Sequence, residues 1–423
     1  MFTYYLIRFF SFPLQWLPLS WIRLIGKAIG SSIFHLVPRY RKRALSNLGL
    51  ATELKLTKEE QYRIAKESFQ NVAIVCLEYP RLWVEKSLSP AIYCKNPEVA
   101  QELHDQGKGI IFFCGHLSNW ETLFLEGTWR MKGIAIGKPI KNKRLYRWIV
   151  AIREKYGGKI IAQKDAVKEG LRALKKGFFI GIVGDQGMPS SGYSFPFLGR
   201  RAWTSTAPAL LAYRTGCPIL VVWTRRTKKG YEITYSDPIW PNSEEPIERE
   251  TVRMMDLSLT LLQDEIRKGP GEWLWQHNRW KQQTPKNVYK QFRHDSVCLI
   301  LPPNPEKFLP HLSTFRKIYP LDFLLICAPN FCREEKLIEA DEIFYYQNIE
   351  ETLLDDYRCK LVFNFSDFAP IKHHYLSLSA FEVLDFPKLK KLADPHLPPH
   401  LKEDVSEILK RALCRPGSLW EEV

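Results

Sequence analysis

No two of the nine cysteines stand in a CxxC arrangement, and their number is odd. That excludes a disulfide framework or a zinc site as the organising element and points to a reducing compartment. The chain also lacks a long apolar run. After its start, the longest charge-free stretch of the amino-terminal region is Phe9 to Ile22, interrupted by Pro13 and Pro18. This is shorter than the ~20 residues a spanning helix needs. No small-residue cleavage site follows, so a removed signal peptide is not expected. RNP, helix-turn-helix and zinc patterns are missing, which argues against nucleic acid as a partner. Internal repeats and low-complexity tracts are missing too. What remains is a globular composition, 45% hydrophobic and 25% charged over 423 residues, enough for roughly two or three domains.

Acidic residues are scarce in the first two thirds. Of 61 Lys and Arg and 46 Asp and Glu, only 15 bases but 21 acids lie from Asp295 onward. Residues 1–294 therefore hold 46 bases and 25 acids, a net of +21 against +15 for the whole chain, and the tail is mildly acidic. A basic surface of this kind suits nucleic acid, an anionic membrane, or an acidic protein or phosphorylated substrate. The first 38 residues are rich in aromatics, among them Tyr4, Tyr5, Trp16 and Trp21, which settle at the headgroup level of bilayers. They read as a membrane-anchoring segment, interfacial or a short tilted span, followed by the basic RYRKR at 39–43.

A helix is expected over 57–85, with Thr57 and Glu60 as a capping box. Strands and helices then alternate. Strands are predicted at 109–114, 133–137, 178–184 and 218–224, and helices at 119–131, 142–156, 166–176 and 205–214. The order indicates an α/β fold with a largely parallel sheet. The polar stretch 277–295 reads as a linker, and the pattern restarts after it. Strands follow at 296–301, 322–328, 341–346 and 360–365, with helices near 306–318 and 348–356. This gives three segments: an anchor at 1–38, a main α/β domain at 39–290, and a smaller Rossmann-like α/β domain at 295–423.

The chemistry concentrates in GHLSNWE at 115–121. His116 falls in the loop beyond the carboxyl end of a predicted strand, where open parallel sheets place their ligand sites. Glu121 falls in the first turn of the next helix. Across such a joint, five positions can bring imidazole and carboxylate together, so that Glu121 orients His116 as a general base. The same residues also fit a Ser118–Glu121 capping box, in which case Glu121 only secures the helix start.

GHLSNWE resembles the H-x4-E motif of the bacterial late acyltransferases of lipid A biosynthesis, the lauroyl/myristoyl transferase group of the lysophospholipid acyltransferase superfamily. RKRALSNL at 41–48, KNKRLYRWIVAIREKYGGKII at 141–161, GDQG at 184–187, FPFLGRRAWTSTAPALLAYRTGCPI at 195–219 and WLWQHNRWK at 273–281 resemble further stretches of that family in the same order. The resemblance covers about 1–285. It implies a catalytic set of His116, Glu121, Arg153 and Asp185, with Arg153 meeting an oxyanion or phosphate and Asp185 positioning Arg153 or substrate. It implies substrate contacts from Asn119, Lys141, Arg144, Arg200, Arg201 and Arg279. The donor would be a fatty acyl thioester on acyl carrier protein, and the acceptor a hydroxyl of a Kdo-bearing lipid A precursor. The location would be the cytoplasmic face of the inner membrane, and no metal or cofactor is expected. Trp273, Trp275 and Trp280 are candidates for an acyl groove or for the core. Glycerolipid acyltransferases of the superfamily are one alternative reading, and a basic nucleic-acid-binding protein is another; the former usually carry H-x4-D and an FPEGTR-like motif, to which FLEGTW at 124–129 is similar without its arginine. The tail after 290 has no counterpart in the family and no Gly-rich phosphate loop.

Overall fold

The computed structural model describes residues 2–334, 337–338 and 340–421. The chain forms two compact units. The first comprises 1–37 and 57–275, the second 38–56 and 276–423.

In the first unit, strands β1 (Ile92–Cys94), β2 (Ile110–Cys114), β3 (Gly133–Gly137), β4 (Lys159–Ala162), β5 (Phe179–Val183), β8 (Ile219–Arg226) and β9 (Tyr231–Tyr235) form one sheet in the order β1-β9-β8-β2-β5-β3-β4. All neighbours run parallel except β8 and β9. Between β5 and β8 an antiparallel hairpin, β6 (Gly192–Phe197) and β7 (Arg200–Ser205), stands apart from the sheet. β2 is buried at all five positions, as a central parallel strand requires. The 3.6-residue spacing of Ile64, Phe69 and Ala73 forms the long helix Lys58–Val84, which starts at the expected Thr57/Glu60 capping box.

A second helix, Leu19–Leu36, packs against that one through Ile22, Gly26, Gly30 and Phe34, all buried. The GKAIG spacing lets two backbones touch. A Cβ on Gly30 would lie 2.4 Å from the Gln70 Cα, and one on Gly26 2.5 Å from the Ile74 side chain. Gly30→Val therefore overpacks the seam and lowers stability by about 3 kcal/mol, read as a drop in the thermal unfolding midpoint. The outer face of the two amino-terminal helices, Phe2–Ser11 and Leu19–Leu36, leaves Phe9, Phe10, Trp21 and Leu24 exposed, as is Trp16 between them. Among the described residues no helix is long and apolar enough to cross a membrane.

The second unit is built on five parallel strands, β10 (Ser296–Ile300), β11 (Phe323–Pro329), β12 (Glu342–Tyr346), β13 (Leu361–Asn364) and β14 (Glu382–Asp385), ordered β12-β11-β10-β13-β14. This chain-order pattern, outward from β10 on one side and then on the other, is that of a doubly wound Rossmann-type sheet. The helix Pro38–Leu50 belongs to this unit, although the sequence groups it with the main α/β domain. Ser46 Oγ donates to the Arg358 carbonyl, Lys42 Nζ to the Ala380 carbonyl, and the buried Lys360 ammonium bridges Asp295 (2.5 Å), Asn47 and Asn278. The stretch 277–295, read as a linker, is thus partly interior: Trp280 and Arg279 are fully buried. The helix expected at 306–318 is a short turn at Leu309–His311 followed by Ser313–Ile318, and that expected at 348–356 is a single turn, Ile349–Thr352. Pro310 permits only the start of a helix there.

Candidate active site

β2 and β5 are adjacent and in parallel register, with Cys114 opposite Val183. Two residues beyond each partner come His116 and Asp185, so equal tail lengths bring both to the same height above the sheet. Gly184 N–H extends the ladder to the Cys114 carbonyl. The Asp185 carboxylate is almost fully buried and holds His116 twice. Oδ1 lies 2.7 Å from the imidazole Nδ1, and Oδ2 accepts the His116 backbone N–H at 2.7 Å. Gly115 leaves space for this approach, since a Cβ there would sit 2.9 Å from Asp185 Oδ2. A carboxylate is an acceptor, so Nδ1 carries the proton and Nε2 keeps its lone pair. Near Nε2 stands the Gln186 side-chain nitrogen at 3.4 Å, and the Trp120 ring packs edge-on against the imidazole.

Glu121 does not orient His116. It is the first residue of the helix Glu121–Arg130, and its carboxylate turns to Arg153 in a two-pronged pair, Nε to Oε2 at 2.8 Å and Nη2 to Oε1 at 2.6 Å. Arg153 ends the helix Lys143–Arg153 and also reaches the Tyr79 hydroxyl at 3.3 Å. The Ser118–Glu121 capping box is not formed either. Ser118 has φ of +50°, and the helix is preceded by Trp120 as N-cap, which offers no side-chain cap. Burial acts to raise the Glu121 pKa, but Arg153, Tyr79 and the nearby imidazole outweigh it and hold the carboxyl below its ordinary range. Stability from this pair is therefore present above the unfolded carboxylate pKa and lost as pH falls through the lower folded value.

The long helix Lys58–Val84 braces the loop from behind. Asn71 donates to the Ser118 and Glu272 carbonyls. Glu78, buried, accepts from Asn119 Nδ2 at 2.6 Å and from the Tyr231 hydroxyl. Desolvation raises the Glu78 pKa, and the bonds from Tyr231 and Asn119 and the charges of Arg226 and Arg23 counter it only in part. Asn119 is therefore spent on the protein interior rather than offered to a substrate. Arg279 is likewise fully buried and so is not presented to a substrate. Lys141 and Arg201 are exposed and Arg144 and Arg200 half-buried. Lys141 and Arg144 line one concavity at the start of the helix Lys143–Arg153, and Arg144 also contacts the Tyr5 ring. Trp273, Trp275 and Trp280 are all core residues. FLEGTW is helical interior, its Glu126 tied to Arg130 and Tyr235.

Tyr79 and Glu78 were not legible as site residues; both sit in a helix that the sequence marks only by its apolar spacing. An imidazole with its outer nitrogen unprotonated, fixed by a buried carboxylate at the carboxyl edge of a parallel sheet, can accept a proton from a hydroxyl or water and so make a nucleophile of it. Fold and site together are those of an α/β enzyme with the means to activate a hydroxyl. The sequence model of the bacterial lipid A biosynthesis acyltransferases matches residues 1–282, and the chain belongs to that family and is an acyltransferase. No curated protein matches the chain.

Proposed function

We propose that the protein transfers a fatty acyl group from an acyl carrier protein thioester to a hydroxyl of a Kdo-bearing lipid A precursor, with His116 as general base and Asp185 holding it. The single observation that carries this reading is the 2.7 Å contact between His116 Nδ1 and Asp185 Oδ1. The acceptor hydroxyl gives its proton to His116 Nε2 as its oxygen attacks the thioester carbon. The tetrahedral intermediate collapses, the carbon–sulfur bond breaks, and the imidazolium returns the proton to the leaving thiolate. Arg153, fixed by Glu121 and Tyr79, supplies positive charge for the oxyanion or for a substrate phosphate. A thioester is already activated, so no cofactor enters.

Lys141, Arg144, Arg200 and Arg201 fit an acidic carrier protein and a phosphorylated lipid. The exposed aromatic face of the amino-terminal helices fits the headgroup layer of the inner membrane on its cytoplasmic side. Purified protein incubated with several acyl carrier protein thioesters and the tetra-acylated precursor should yield a lipid heavier by one acyl chain in mass spectrometry. His116→Ala should yield none above background, and undiminished product from that variant removes His116 as the base.

A further inference from the structure

We propose that Trp273 is a positioning residue that sets the proton affinity of His116 by sharing the charge of Asp185; this rests on His116 acting as the base. The indole Nε1–H donates to Asp185 Oδ2 at 2.8 Å, on the oxygen that also takes the His116 backbone N–H. Trp273 is 1% exposed, and the structure fixes it on several sides. Its carbonyl accepts from Ser68 Oγ, its ring meets Phe197 and Trp275, and it forms an isolated bridge with Leu117, next to His116. The segment around it closes the same loop: Leu274 N–H donates to the His116 carbonyl and Ser118 N–H to the Glu272 carbonyl. An apolar core needs a large ring at this place but not an indole N–H, and this N–H is spent on the carboxylate that holds the imidazole.

The direction of the effect follows from electrostatics. A hydrogen bond from a neutral donor stabilises and disperses the Asp185 negative charge. Without it, more of that charge is available to the imidazolium, which then holds its proton to higher pH. Groups near His116 include Glu121, neutralised by Arg153, and the neutral Gln186 and Trp120; the Cys114 thiol, beside Asp185, is kept protonated by burial. None of them changes when the indole N–H is removed.

Trp273→Phe should therefore shift the acid limb of the kcat/KM–pH profile upward by about half a pH unit. Asp185→Asn, which removes the negative charge, should shift the same limb downward. Because Phe leaves a gap, a second replacement, β-(3-benzothienyl)alanine incorporated at 273, keeps the bicyclic shape without a donor and should reproduce the upward shift at near-parental thermal stability. An unmoved acid limb with the benzothienyl residue, whatever happens to the unfolding temperature, overturns the proposal and leaves Trp273 a packing residue. Full activity of His116→Ala would instead overturn the base assignment itself, so the two failures are distinct.

Discussion

Asp185→Asn is expected to lower kcat about a thousand- to ten-thousand-fold with little change in fold, because the amide cannot replace the carboxylate at both oxygens. Asp185 faces a ring nitrogen, a backbone N–H and an indole N–H, so one of its atoms becoming an NH2 sets donor against donor. The imidazole then settles in the other tautomer, and its outer nitrogen carries a proton it must not have. Glu121→Gln supplies the contrast. It weakens a pair with Arg153 and leaves the imidazole contacts intact. Its loss should be smaller, about a hundredfold, the low end of what removing one oxyanion contact costs, with the acid limb of the pH profile moved less than in Asp185→Asn. Steady-state kinetics of both variants across pH decide between the carboxylates. An acid limb displaced by Glu121→Gln and not by Asp185→Asn would return the orienting role to Glu121.

The second large effect concerns the acidic tail. A chain ended at residue 294 is expected to lose the folded state of residues 38–56, although the family match stops at 282. The helix Pro38–Leu50 lies in a unit whose sheet is formed entirely by residues after 294. Truncation strips Ser46 of its acceptor on Arg358 and Asn47 of the Lys360 ammonium. Protease cleavage within 38–56 and rapid amide exchange there should follow, with a sharp fall in soluble yield. The single-residue counterpart is Lys360→Met, which leaves the buried Asp295 carboxylate without its cation and costs about 3–5 kcal/mol. Intact protection of 38–56 in the truncated chain would show that the tail is separable.

Much of the fold is legible locally. The strand expected at 133–137 is β3 residue for residue, and the Thr57/Glu60 box starts the long helix as its chemistry requires. What escaped were elements whose signals are short or paired at a distance. β1 is three residues long, and the hairpin β6–β7 turns at Leu198 and Gly199, where both backbones take positive φ, without an Asn-Gly or Asp-Gly signature. The site shows the same division. His116, Arg153, Glu121 and Asp185 all gather in the fold, yet which carboxylate serves the imidazole depends on the register of β2 against β5. Glu121 is five residues from His116 and Asp185 sixty-nine, and sequence spacing favours the wrong one. Local patterning reports which face of an element is apolar, not which strand lies beside it.

The interleaving of the two units also has a consequence for biosynthesis. Residues 38–56 leave the ribosome early, but their partners at Arg358, Lys360 and Ala380 are some three hundred residues downstream. At translation rates of about 5–20 residues per second, the nascent helix waits on the order of tens of seconds before its permanent neighbours exist.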